Sequence, residues 1–194
     1  MKEKTRILLT GSTGYIGGLL RTQLETLDHL QLRCLIRDGR SAGSPSARTE
    51  MAVGDLLQPD TLGPAMVGID IAYYMVHSMG SSGSFEEKDR RAAHHFGDAA
   101  RQAGVRRIIY LGGLGGGDNL SAHLRSRQEV GAILASYVPT LELRASIVLG
   151  SGSLSFEMIR ALVERLPMMV TPKWVEIQAQ PIAIDDLLDY LLQS

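Results

Sequence analysis

The 194-residue chain has one cysteine, so an internal disulfide is excluded and the redox compartment is left open. That residue, Cys34, sits in the apolar run Leu32-Arg33-Cys34-Leu35-Ile36, where a buried core thiol is expected. Charge of one sign is also lacking. Twenty Lys+Arg stand against 21 Asp+Glu, a net charge of −1, and no global field exists to gather nucleic acid or anionic lipid. No stretch of about 18 apolar residues is present, which argues against a membrane span. Met1-Lys2-Glu3-Lys4 leads straight into a strand-length segment rather than a secretory leader, so a cytoplasmic location is the default expectation. Internal repeats and low-complexity linkers are absent. Metal-ligand clusters are lacking as well: His94-His95 are adjacent, project about 100° apart on a helix, and have no converging Cys, Asp, Glu or His set.

What is present is an ordinary globular composition, 44% hydrophobic and 21% charged, with 21 glycines placed unevenly and clustered at 11–18, 80–83, 112–117 and 150–152. The length suits one domain with a sizeable core. Apolar strand-like runs fall at Arg6–Thr10, Gln31–Ile36, Glu50–Val53, Ile69–Val76 and Arg107–Leu111, with a strand pair across Thr140–Leu149. Helical periodicity occupies Tyr15–Leu27, Pro59–Val67, Phe85 to about Ala103, Ser121–Tyr137, Leu154–Leu166 and Asp185–Leu192, and an extended stretch surrounds Trp174–Ile177. Regular alternation of this kind predicts a parallel, doubly wound α/β sheet with helices on both faces. Any ligand then lies outside the carboxyl ends of the strands, where the glycine-rich loops fall.

Thr10-Gly11-Ser12-Thr13-Gly14-Tyr15-Ile16-Gly17-Gly18 carries glycine at a G-x-x-G-x-x-G spacing between an expected strand and helix. Gly11 permits a tight exit from the strand, Gly14 lets backbone approach a pyrophosphate, and Gly17 allows helix to pack closely on strand. The helix start supplies free N–H groups and a positive dipole end, so 11–17 is read as a dinucleotide-binding turn. Twenty residues past Gly17, where NAD-binding proteins carry an acid for the ribose 2′-hydroxyl, this chain has Arg37, with Arg40 and Arg48 nearby. An Arg there favours a 2′-phosphate and hence NADP(H); NAD is the second choice because Asp38 next door can accept from the ribose. At the end of the third strand, Asp55 is read either as an acceptor for the adenine amino group or as a helix cap, with Leu56 beside it.

On the segments TGSTGYIGG (10–18), GDL (54–56), AGVRRIIYLGGLGG (103–116), HLRSRQEVG (123–131), LRASIVLGSGS (143–153) and QPIAIDDL (180–187), the chain resembles the atypical branch of the short-chain dehydrogenase/reductase superfamily, related to NmrA-like and NAD-dependent epimerase/dehydratase proteins. The resemblance implies a three-layer Rossmann fold. It also implies a nucleotide domain at 1–150, a substrate-side segment of the same domain at 151–194, and further residues in relatives beyond this end. Superfamily catalysis uses a Tyr and a Lys at i, i+4 on the helix after the fifth strand. No Tyr in this chain has Lys four residues on, and the expected Ser position reads Gly112-Gly113.

At the equivalent place stand His123 and Arg127, also i, i+4. His123 is read as a proton donor or a surface residue of the first helical turn, and Arg127 as a ligand contact or a surface partner. His77 and Ser78, after the fourth strand, are placed to hydrogen-bond the nicotinamide ribose or a substrate. Met158, Met168, Met169 and Trp174 suit either a substrate-pocket wall or a core layer, and Gln178 and Gln180 flank the expected cleft. Two functions are compatible with this pattern. One is an oxidoreductase or epimerase-like enzyme acting on a small carbonyl or alcohol; the other is a non-catalytic NmrA-like protein that senses the dinucleotide. The expected partners are the dinucleotide and a small molecule, without nucleic acid or membrane, in a monomer or homodimer.

Overall fold

A computed structural model describes residues 4–38, 46–77, 85–117, 120–165 and 179–194. In chain order these form β1 (Thr5–Thr10), α1 (Tyr15–Leu24), β2 (Leu30–Ile36), β3 (Thr49–Val53), a 3-10 turn (Pro59–Thr61), α2 (Leu62–Met66), β4 (Ile71–Tyr74), α3 (Phe85–Gln102) and β5 (Arg107–Gly113). There follow α4 (Ala122–Tyr137), β6 (Thr140–Ala145), β7 (Val148–Leu149), α5 (Leu154–Arg165), β8 (Ile182–Ala183) and α6 (Ile184–Leu192). The main sheet has the order β3-β2-β1-β4-β5-β6 with every pair parallel, so the expected doubly wound Rossmann architecture is what the chain adopts. Strand order reverses between β1 and β4, and the crevice that this switch opens is where such sheets bind ligands.

Period-two alternation divides the apolar side chains between two cores. Leu8, Leu35, Ala72, Tyr74, Ile108 and Tyr110 face the side covered by α2, α3 and α4, where Met66, Phe96 and Leu134 are fully buried. Tyr74 stands edge-on to Phe96 at 4.9 Å and to Tyr110 at 5.9 Å, centring an aromatic cluster. Ile7, Leu9, Cys34, Tyr73 and Ile109 face the other side, under α1 and α6. Cys34 is fully buried, as expected, and burial pushes its thiol up to about 11. The Tyr73 hydroxyl donates to the Leu191 carbonyl at 2.8 Å, tying α6 to the sheet.

Three boundaries differ from the sequence expectation, each for a local reason. The helix read across Pro59–Val67 is a 3-10 turn followed by a short α2, because Pro64 lacks an amide and its ring would crowd the carbonyl four residues back. The strand read across Ile69–Val76 is only Ile71–Tyr74: the Met75 amide donates to Thr10 Oγ1 at 2.9 Å instead of joining the ladder. The two strands within Thr140–Leu149 do not pair with each other. β6 extends the main sheet beside β5, and β7 pairs with β8 in a separate two-stranded sheet. The extended stretch near Trp174 lies outside the described residues. Among those that are described, no helix is long and apolar enough to cross a membrane.

Phe96 fills the space between Tyr74 and α2, so Phe96→Ala is expected to cost about 3–5 kcal/mol. Urea unfolding of the two proteins, compared by midpoint at equal slope, measures the loss.

Candidate functional site

Gly11 leaves β1 at φ +70°, and a Cβ on it would stand 2.6 Å from the Met75 carbonyl oxygen. Gly17 packs so closely under this turn that a Cβ would collide with the Gly11 carbonyl. The two glycines therefore fix how near α1 approaches the end of β1. The Gly14 amide donates to Gly11 at 3.0 Å, and no side chain caps α1. With no acid in the first turn, the amides of Tyr15, Ile16 and Gly17 and the helix dipole face a site that favours an anion. Ser12 is buried with its hydroxyl turned inward, which leaves its backbone as its share of the turn. Thr13 is exposed at the mouth. The Tyr15 ring lies instead against the Gly150–Gly152 turn, and Ile16 packs into the core beneath α6.

This turn opens on a cleft of about 730 Å³ lined from β1, β2, the β3 exit, β4 and α3. Thr10, Gly11 and Thr13 form its centre, and Arg37, Asp38, Gly54, Asp55 and Leu56 form one end. Arg37 is exposed and has no acidic partner among the described residues. Arg48, read as a possible helper, is held elsewhere by an ion pair with Asp28, and Arg40 lies outside the described residues. Asp55 caps neither α2 nor the 3-10 turn: its Oδ1 accepts from the Leu57 amide at 2.9 Å in a local turn, and the residue lines the cleft. The Leu56 carbonyl accepts from His95 Nδ1 at 2.8 Å, which braces this wall from α3.

His77 lines the opposite part of the cleft, beyond the end of β4; Ser78 lies outside the described residues. The His77 ring stands edge-on to His123 at 5.9 Å, and Phe85 tilts over His123 at 6.1 Å. The three come from different elements. Desolvation, reinforced by the Arg127 charge and by His123, lowers the His77 pKa to about 4, so its imidazole is neutral near pH 7. His123 itself is exposed in the first turn of α4, which Ser121 caps by accepting from the Leu124 amide at 3.2 Å.

Arg127 is not free to reach far. Its Nη2 donates to the Leu111 carbonyl at 2.8 Å, its Nε is buried, and its stem lies over Gly113. The Tyr110 hydroxyl donates back to the Arg127 carbonyl at 2.9 Å, so this pair clamps α4 to the end of β5. Burial pushes the Tyr110 phenol up to about 12, beyond acid/base use near neutrality.

Two charged cleft residues were not singled out from the sequence: Lys88 and Asp89 on α3. Asp89 is 6% exposed and receives a hydrogen bond from Ser126 at 3.3 Å. It falls on the buried stripe Asp89, Ala92, Ala93, Phe96, Ala100, and an acid on an apolar stripe is the signal that points to it. Near the C-terminus, Met158 and Gln180 are exposed, whereas Met168, Met169, Trp174 and Gln178 are outside the described residues.

The model of a protein family described as NAD(P)H-binding matches residues 11–153, most of the chain and every cleft residue except Thr10. Sanguinarine reductase of Eschscholzia californica is 38% identical over 69 residues, which cover 35% of this chain and 25% of that protein. Triphenylmethane reductase of Citrobacter sp., solved in complex with NADP(H), superposes with a TM-score of 0.63 at 22% identity over 73% of this chain and 50% of that one. A variant of UDP-glucuronic acid 4-epimerase of Bacillus cereus, solved with NAD and UDP-4-deoxy-4-fluoro-glucuronic acid, superposes with a TM-score of 0.75 at 16% identity over 97% of this chain and 72% of that one. The chain thus spans a quarter of the sanguinarine reductase and half of the triphenylmethane reductase. The structural likenesses establish the shared fold.

The neutral His77 has a measurable consequence. Its folded pKa, about 4, lies below the ordinary 6.5, so between these values the unfolded chain binds more protons and stability rises with pH. That contribution is complete above the ordinary value and is lost on acidification toward the folded one. Denaturation midpoints measured near both ends of the window are expected to fall less in His77→Asn than in the unaltered chain.

Proposed function

The chain belongs to the NAD(P)H-binding family, and from that premise we propose that it is an NADP(H)-dependent oxidoreductase, or an epimerase-like enzyme, acting on a small carbonyl or alcohol. One observation carries the cofactor choice: the uncapped glycine turn and Arg37, which has no acidic partner among the described residues, open onto the same cleft. The first-turn amides of α1 suit the pyrophosphate, and Arg37 suits a 2′-phosphate in the place where an acid would reject it. Asp55 offers an oxygen to the adenine amino group, and Leu56 gives it an apolar wall. When bound, the nicotinamide supplies a hydride to the substrate carbon or takes one from it. Around that end of the cleft, His77 provides a neutral imidazole for hydrogen bonding, Arg127 fixes the helix that carries His123, and exposed His123 is the group assigned to proton transfer.

A second reading, an NmrA-like protein that holds the dinucleotide without turnover, is favoured by a specific pair of observations. The Tyr-x-x-x-Lys pair is missing from the sequence, and Arg127, in its place, is engaged with the Leu111 carbonyl.

Direct titration with NADPH and NADH tests the cofactor assignment. NADPH is expected to bind more tightly, and Arg37→Glu to weaken it by about 1.5–3 kcal/mol while sparing NADH; equal losses would refute Arg37 as the reader. The two functions separate on whether the absorbance of bound NADPH decays when a carbonyl library is added. With a substrate in hand, an undiminished rate in His123→Ala would remove His123 from the chemistry.

A further inference from the structure

We propose that Lys88, on the first turn of α3, is a second phosphate-reading residue that acts with Arg37 on the 2′-phosphate of NADP(H). The inference rests on the reading of this cleft as an NADP(H) site, and it adds a residue that neither the glycine motif nor the position after β2 identifies. Arg37 and Lys88 are the arginine and lysine side chains that line the cleft, one from the exit of β2 and the other from α3. Both are exposed, and neither has an ion-pair partner among the described residues. The acids beside Lys88 are engaged elsewhere: Glu87 holds Arg90 at 2.5 Å, and Asp89 accepts from Ser126.

A cation in the N-terminal turn of a helix opposes the helix dipole, so the position disfavours lysine unless an anion offsets it. The first turn of α3 otherwise follows the dipole, with Glu86 and Glu87. The remaining lining completes the fit. Asp38 and Asp55 suit N–H and hydroxyl donors, while Arg37 and Lys88 suit a dianion, and an adenosine 2′-phosphate presents both. A lysine provides a compact charge on a flexible stem, which can follow a phosphate that the planar fork of Arg37 orients.

The test is a fluorescence titration of NADPH and NADH against the full chain, Lys88→Ala and Lys88→Met, the last keeping most of the stem. Both exposed-site variants are expected to weaken NADPH about tenfold and NADH by less than about twofold. Adenosine 2′,5′-bisphosphate should lose its power to compete in the variants, whereas 5′-AMP should not. Equal weakening of both dinucleotides would place Lys88 on the shared pyrophosphate and overturn the proposal, as would unchanged binding of both. An unaltered chain that does not prefer NADPH defeats the Arg37 reading before any variant is made. An unaltered chain that prefers NADPH, with that preference intact in Lys88→Ala, defeats the Lys88 assignment alone.

Discussion

The contact on which the site depends is the seating of Gly17 against the carbonyl of Gly11. It sets the distance from α1 to the end of β1, and that distance decides whether the first-turn amides reach the crevice or stand behind a wall of side chains. The same turn fixes the neighbouring strand. Gly11 has no Cβ to press on Met75, and Thr10 Oγ1 donates to the Tyr73 carbonyl while accepting from the Met75 amide, so β1 and β4 separate cleanly at the switch point. The helix start, the strand exit and the opening of the sheet are thus one packing event.

This is why so much of the architecture was legible. Residues 7–9, 34–36 and 108–111 are apolar on both faces because helices cover both sides, and a run of that kind cannot serve a half-solvated sheet. Glycines at a fixed spacing between such a run and an amphipathic segment have few other uses. Legibility faded where backbone donors find unexpected acceptors. The end of β4 is set by a threonine hydroxyl and the start of α2 by proline, and neither leaves a trace in hydrophobic period. It also faded where a residue's role is assigned by a distant element. Arg127 reads as an exposed i+4 partner of His123, yet the Leu111 carbonyl, 16 positions away, holds it.

The α3 wall shows the same limit from another side. Asp89 and Lys88 are adjacent, and sequence alone treats them as part of a charged, solvated helix start. Folding separates them: Asp89 turns under Ser126, and Lys88 is left at the cleft with its near neighbours already paired. Only the tertiary arrangement shows that this wall and Arg37 line one crevice. Charge in the cleft is therefore mixed on each wall, with Arg37 beside Asp38 at the β2 exit, Lys88 beside Asp89 on α3, and Asp55 at the β3 exit.

At the β4–β5 end the chemistry narrows by elimination among the described residues. Tyr110 and Tyr74 are core phenols whose protons are held by burial, and His77 is already neutral. Arg127 is turned toward backbone, its Nη2 donating to the Leu111 carbonyl. Hydride transfer needs alignment more than proton transfer, and the clamp between Tyr110, Arg127 and Leu111 supplies rigidity at the helix that would border the nicotinamide. A proton, where the substrate requires one, has at hand the exposed imidazole of His123, edge-on to the cleft residue His77. A site organised this way orders its ligand well and moves protons poorly, which is the physical reason that an enzyme and a dinucleotide sensor can share one framework.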